Sequence, residues 1–210
     1  MNNVLVFGAG GKLGRAIVAA LLREGFSVTA SVRNLSSYRA PVGVRVAVGD
    51  AMNTGAVAAA LEGQDAVVNA IGAGTLRRNS IESETTSVIL RTIQKTSIRR
   101  YIGMSAGMVD TRVLPLGVIP ATIFRILLAT LFRNIRKEHR AVEKLVTGTQ
   151  LDWTIVRPSR LTNSQTFADY RLSTEGIIPG TMSVPCATVA HFITSELRKN
   201  EYVRKAVFIG

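Results

Sequence analysis

The sequence predicts an α/β fold: a doubly wound parallel sheet with helices on both faces and a small C-terminal lobe for a substrate. Three observations carry that expectation. Apolar, β-rich runs alternate with segments of helical period, and the connections between them are short. The strand candidates also lack in/out alternation, as strands buried on both faces do. With 210 residues, 47% of them hydrophobic, the chain can bury a sizeable core as a single domain, 1–210.

Taken in order, residues 4–7 form the first strand. Leu13, Ile17 and Leu21 then recur at helical spacing until Gly25 ends the helix. Residues 26–32 are strand-like, and residues 44–48 follow after a Pro/Gly turn. Residues 54–61 are helical, with Asn53 as cap and Gly63 as stop. Residues 65–71 (DAVVNAI) are a buried strand. Residues 80–96 are helical, with Glu82 and Glu84 where a helix N-terminus favours acids. Residues 99–104 and 152–156 are further strands. A helix with Val189, Phe192, Ile193 and Leu197 on one side and a strand at 206–209 complete the pattern.

Two segments depart from it. Residues 113–132, VLPLGVIPATIFRILLATLF, are apolar over about the 20 residues a membrane span needs. Pro115, Gly117 and Pro120 break the first half, however, and Arg125 in the second costs about 2.5–3.5 kcal/mol on insertion scales. A cover over an apolar pocket is the better expectation. Residues 163–185, rich in Ser, Thr, Gly and Pro, read as loops with a short hairpin and as a second substrate-covering segment.

The formal charge of +12 admits nucleic acid, an anionic membrane face or a phosphorylated small molecule as partner. The basic residues are spread along the chain without helix-turn-helix or zinc-finger spacing, so no nucleic-acid role is expected. Cys186 is the lone cysteine; it fits a reducing cytoplasm and leaves no metal-ligand cluster. No signal peptide is visible ahead of the first strand.

The chemistry starts at VLVFGAGGKLGRA. Glycines between a strand and a helix permit a tight turn, let the backbone approach a pyrophosphate, and let helix and strand pack closely. Gly8, Gly11 and Gly14 make GxxGxxG, Gly10 adds a further small position, and Lys12 and Leu13 open the helix whose N–H groups face the phosphates. A purely structural turn is the alternative. At the end of the second strand, where an NAD site usually places an acid, the sequence has VTASVRN with Arg33. A guanidinium suits a 2′-phosphate, with Lys12 and the more distant Arg39 as further cations, so NADPH is favoured over NADH.

Together the segments VFGAGGKLGRAIVAALLREGFSVTASVRN, VGDAMN, DAVVNAIGAG, RRYIGMSA, LDWTIVRPSRLTN and ATVAHFITSEL cover most of the chain. They resemble the atypical short-chain dehydrogenase/reductase group, closest in its NmrA-like and biliverdin/flavin-reductase-like branches. The resemblance implies a Rossmann-type sheet, with Asp50 and Ala51 near the adenine and Ala70, Ile71 and Gly72 along the ribose–nicotinamide run. It implies Ser105 beside the nicotinamide, and Pro158 and Ser159 at the nicotinamide end.

One feature of the wider superfamily is missing: the Tyr-x-x-x-Lys proton relay. Four positions after Tyr38, Tyr101, Tyr170 and Tyr202 stand Val42, Ser105, Thr174 and Ala206. Plain alcohol or ketone chemistry is therefore not expected. Flavins, quinones and linear tetrapyrroles delocalise the charge left by hydride addition and need only a weak proton donor. Ser105 and His139 are the catalytic candidates; for each a structural role is the alternative, and His191 reads as structural. Arg133, Arg136, Lys137, Arg140 and Lys144 share a face, so the basic helix 133–144 offers a weak peripheral contact to an anionic membrane. An NADPH-dependent reductase is the leading expectation; an NADP-binding sensor without turnover is the rival, and a membrane-side scaffold a third.

Overall fold

The computed structural model describes residues 2–72, 81–107, 133–164 and 166–210. Seven of its strands run parallel: β1 (Asn3–Phe7), β2 (Ser27–Val32), β3 (Arg45–Val48), β4 (Ala66–Asn69), β5 (Arg100–Met104), β6 (Asp152–Pro158) and β10 (Lys205–Ile209). With β8 (Leu172–Ser173) antiparallel at one edge, the sheet has the order β3-β2-β1-β4-β5-β6-β10-β8. The strand order reverses between β1 and β4, and that switch point is where such a sheet opens a crevice at its carboxyl edge.

The helices α1 (Lys12–Arg23), α2 (Thr54–Leu61), α3 (Ile81–Ile93), α4 (Arg133–Thr147) and α5 (Cys186–Lys199) cover the sheet. On one face Val4 and Val6 of β1 pack with Ile17 and Leu21 of α1 and Ile193 and Leu197 of α5. On the other, Leu5 and Phe7 join Leu61 of α2, Ile89 of α3 and Val142 and Val146 of α4. Four successive apolar residues in β1 thus serve two cores, which is why its sequence does not alternate. Gly25 closes α1 at φ 77°, with Phe26 N–H donating to the Leu21 carbonyl. Asn53 caps α2 by accepting from Ala56 N–H at 3.0 Å.

A buried ion pair locks α5 to the sheet. Arg100 Nη2 stands 2.6 Å from Glu196 Oε1, which also accepts from Thr154 Oγ1 and Tyr202 N–H. Burial pulls the Arg100 guanidinium below its ordinary range, and the facing Glu196 opposes the shift.

The described residues of 163–185 hold no hairpin. β8 pairs with β10 of the main sheet, while β9 (Ser183–Pro185) pairs in parallel with β7 (Arg160–Thr162) as a small separate ribbon. Parallel pairing requires the long intervening crossover, which composition alone does not reveal. The expected cover at 113–132 lies outside the described residues. On α4, Lys137, Arg140 and Lys144 are exposed. Among the described residues no helix is long and apolar enough to cross a membrane.

Candidate functional site

The chain leaves β1 through Gly8, at φ 74°, and Gly11 N–H donates back to the Gly8 carbonyl at 3.0 Å. A Cβ on Gly8 would stand 2.8 Å from the backbone of Ala70 and Ile71, so both the dihedral and the approach of the β4 loop demand glycine. A Cβ on Gly14 would stand 2.1 Å from the Gly8 carbonyl oxygen, so α1 rests directly on the turn. Gly10 differs. A Cβ there would meet only Val32 Cγ1, at 3.9 Å, an ordinary contact, so internal packing does not require glycine at that position. No side chain caps α1 at Gly11. The N–H groups of Lys12, Leu13 and Gly14 have no acceptor among the described residues, leaving a helix end suited to an anion.

Beside this turn lies a cleft of about 670 Å³, within the size range of small-molecule and cofactor sites. Of the residues the sequence singles out, Gly8, Gly10, Gly11, Arg33, Asp50, Ala51, Ala70, Ile71 and Gly72 line it. Lys12, Leu13 and Gly14 stand behind the turn, Lys12 exposed and Leu13 in the core. Asp50 Oδ1 accepts from Met52 N–H at 2.9 Å and so shapes the turn between β3 and α2. Ser31, Asn34, Ser37, Tyr38, Met52 and Thr85 line the cleft too and were not foreseen. Ser31 lies in β2 next to its end, and the others come from loops and from a helix flank, where local sequence carries no periodic signal. Arg39 is exposed and is not among the lining residues.

At the other end Asn69, buried where β4 stops, donates to Tyr101 Oη at 3.1 Å and Thr86 Oγ1 at 3.2 Å. Its Oδ1 accepts from Ile71 N–H, which orients residues 70–72. Burial pushes the Tyr101 phenol up to about 12, against the opposing bonds from Asn69 and Thr86. Tyr38 is also pushed up by burial, with Arg15 opposing, and Tyr170 is raised by burial first and by Tyr202 and Glu201 after it. Tyr170 packs edge-on against His191 and Phe192 of α5, on the face away from Tyr101.

Ser105, Pro158 and Ser159 gather at the ends of β5, β6 and β10, outside the walls of the cleft. Ser105 N–H donates to the Val156 carbonyl at 2.9 Å, and its buried hydroxyl has no hydrogen-bond partner among the described residues. Such a group costs about 1–3 kcal/mol when left unsatisfied, so it marks a position suited to an external partner. Ser159 Oγ is spent on the Ile209 carbonyl. His139 faces Glu82 across α4 and α3, Nδ1 to Oε2 3.3 Å. The same carboxylate has Oε1 3.8 Å from where a Gly72 Cβ would sit, so Glu82 stands between His139 and the Gly72 part of the cleft lining. Glu82 stands in the first turn of α3, as expected, and is 7% exposed, a burial that helix-end electrostatics alone does not require. Among the described residues no group of His, Cys, Asp and Glu could hold a metal ion.

A glycine turn, an open helix end and a cleft at the switch point define a class: an α/β protein built to hold a nucleotide. Residues 8–200 match the NAD(P)H-binding family, and the chain belongs to it. Solved structures share the fold. A short-chain dehydrogenase/reductase from Veillonella parvula, in complex with NADP, is 21% identical over 100% of this chain and 94% of that one, TM-score 0.81. An oxidoreductase from Lactococcus lactis is 18% identical over 99% and 90%, TM-score 0.81. A protein from Streptococcus pneumoniae provisionally assigned as an NADH-flavin reductase is 20% identical over 100% and 99%, TM-score 0.78. At these identities the likenesses establish the Rossmann-type fold.

Proposed function

We propose that this protein is an NADPH-dependent reductase of an apolar conjugated acceptor such as a flavin, a quinone or a tetrapyrrole-like molecule. The observation that carries the reading is Ser105: a buried hydroxyl, without a partner among the described residues, at the carboxyl end of a central strand. The glycine turn and the α1 N-terminus receive the pyrophosphate, and Arg33, exposed in the cleft wall with no acid at the end of β2, reads the 2′-phosphate. A reduced nicotinamide bound there supplies a hydride, that is, two electrons with one proton. Ser105 then holds the acceptor oxygen or nitrogen and donates a hydrogen bond to it, while a second proton arrives from water. Tyr101 takes no part, since its hydroxyl is fully buried and held by Asn69. The provisional assignment of the Streptococcus pneumoniae neighbour as an NADH-flavin reductase supports the acceptor class. Glu82 and His139 position residues 70–72 from behind.

The test mixes protein, NADPH and a panel of flavins, quinones and aldehydes and follows nicotinamide absorbance. Oxidation with flavins or quinones and none with aldehydes is expected. Tight NADPH binding without oxidation across the panel would leave the cofactor sensor as the reading, which the absence of a poised tyrosine also favours. Ser105→Ala is expected to lower kcat about tenfold or more, with thermal stability held or slightly raised because an unsatisfied hydroxyl is removed. We further propose that the exposed Lys137, Arg140 and Lys144 on α4 give a weak contact with anionic membranes.

A further inference from the structure

We infer that Arg15 is a positioning residue of the 2′-phosphate site, clamping residues 34–38 against the glycine turn so that this end of the cleft stands preformed. The inference rests on the NADPH reading above. Arg15 lies in the first turn of α1. Its Nε donates to the Gly10 carbonyl at 3.0 Å and its Nη2 to the Ser37 carbonyl at 2.9 Å. Its guanidinium carbon lies 5.2 Å from the centroid of the Tyr38 ring. Gly10, Ser37, Tyr38 and Arg33 all line the cleft. One side chain therefore joins two segments of its lining, the glycine turn and the loop after β2.

The loop does not hold this position by its own bonds. Asn34 Oδ1 accepts from Ser36 N–H and Ser36 Oγ, both at 2.9 Å, and Ser37 Oγ donates to the Asn34 carbonyl. These bonds coil residues 34–38 locally, and among the described residues only Arg15 ties that coil by hydrogen bonds to the glycine turn. Tyr38, 4% exposed, is held by packing and by the guanidinium over its ring, since its hydroxyl has no partner among the described residues. A planar fork can bridge two carbonyls while lying on a ring; an ammonium on a flexible stem cannot. Ordering the loop in advance spares that cost on binding, and the benefit goes to the cofactor whose extra phosphate the loop surrounds.

The test is calorimetric affinity for NADPH and NADH in the wild type, Arg15→Lys, Arg15→Met and Arg33→Ala, each with a thermal melt to confirm folding. Both Arg15 variants are expected to lose about tenfold in NADPH affinity while NADH stays within about twofold. Restoration by lysine would show that only charge matters and overturn the inference, as would equal loss of both cofactors or no loss. The parent reading fails separately: a wild type without NADPH preference, or Arg33→Ala losing both cofactors alike, refutes it and this inference with it. Should Arg15→Met not fold, Arg15→Lys decides alone, and wild-type NADPH affinity there is the refuting result.

Discussion

Alanine placed at Gly10 and at Gly14 separates the two reasons for glycine in the turn. At Gly14 the new Cβ lies 2.1 Å from the Gly8 carbonyl oxygen, and restoring an ordinary 3.4 Å contact moves turn and helix apart by about 1.3 Å. Overpacking of this kind costs about 1–3 kcal/mol. Losing the Gly11-to-Gly8 hydrogen bond adds about 1 kcal/mol, and the better helix propensity of alanine returns about the same. A net loss of about 2 kcal/mol lowers Tm by roughly 4–8 °C in a domain of this length. At Gly10 the nearest atom is 3.9 Å away and φ is not positive, so stability holds within about 0.5 kcal/mol. The methyl there instead enters the open cleft, where a backbone-hugging pyrophosphate must pass. A clash of about 1–3 kcal/mol weakens NADPH and NADH alike, by roughly 5- to 150-fold. Thermal melts and titration calorimetry on both variants read the two effects. Wild-type affinity in Gly10→Ala refutes close approach of the phosphates; an unchanged Tm in Gly14→Ala refutes the steric account of the turn.

Further expectations concern stability, pH and surfaces. Glu196→Ala strands the buried Arg100 charge and should cost about 3–5 kcal/mol, seen as a Tm drop on the order of 10 °C, while Arg100→Met with Glu196→Leu recovers much of it; a small loss in the single variant contradicts this. The Asp65 carboxyl is held below its ordinary value of 3.8 by the N–H groups of Asn3 and then Asn2. Its contribution is therefore present above that value and lost as pH falls through the lower folded one, so Asp65→Asn should flatten the acid limb of a stability–pH curve. An unaltered limb counts against it. Replacing Lys137, Arg140 and Lys144 by glutamine should reduce partitioning onto phosphatidylserine vesicles on the order of 100-fold at low salt; wild-type protein that fails to co-sediment removes the membrane proposal.

The legible parts of the molecule are those in which one residue's surroundings follow from its neighbours in sequence. Val4, Leu5, Val6 and Phe7 read as a doubly buried strand because no alternation relieves either side, and the structure buries all four. Asn53 and Gly63 bracket α2 as cap and stop, since capping is settled within one turn. Less was readable where contacts join distant segments. Glu82 looked like an acid at a helix start, yet it is buried against His139, 57 residues on. Arg15 carried no sequence signal, because its partners lie on the glycine turn and on a loop beyond β2.

Local chain geometry, then, made the strand–glycine–helix turn, the parallel α/β class and the basic end of β2 readable from residues alone, because dihedral freedom, periodicity and helix-end electrostatics act over a few neighbours. Folding decided the rest. It brought Ser37 and Tyr38 into one cleft with Gly10, left the Ser105 hydroxyl buried without a partner among the described residues, spent the Tyr101 hydroxyl on Asn69, and paired β8 with β10 and β9 with β7. Each of these depends on which surfaces meet when the two cores form, a property of packing that no short window of sequence contains.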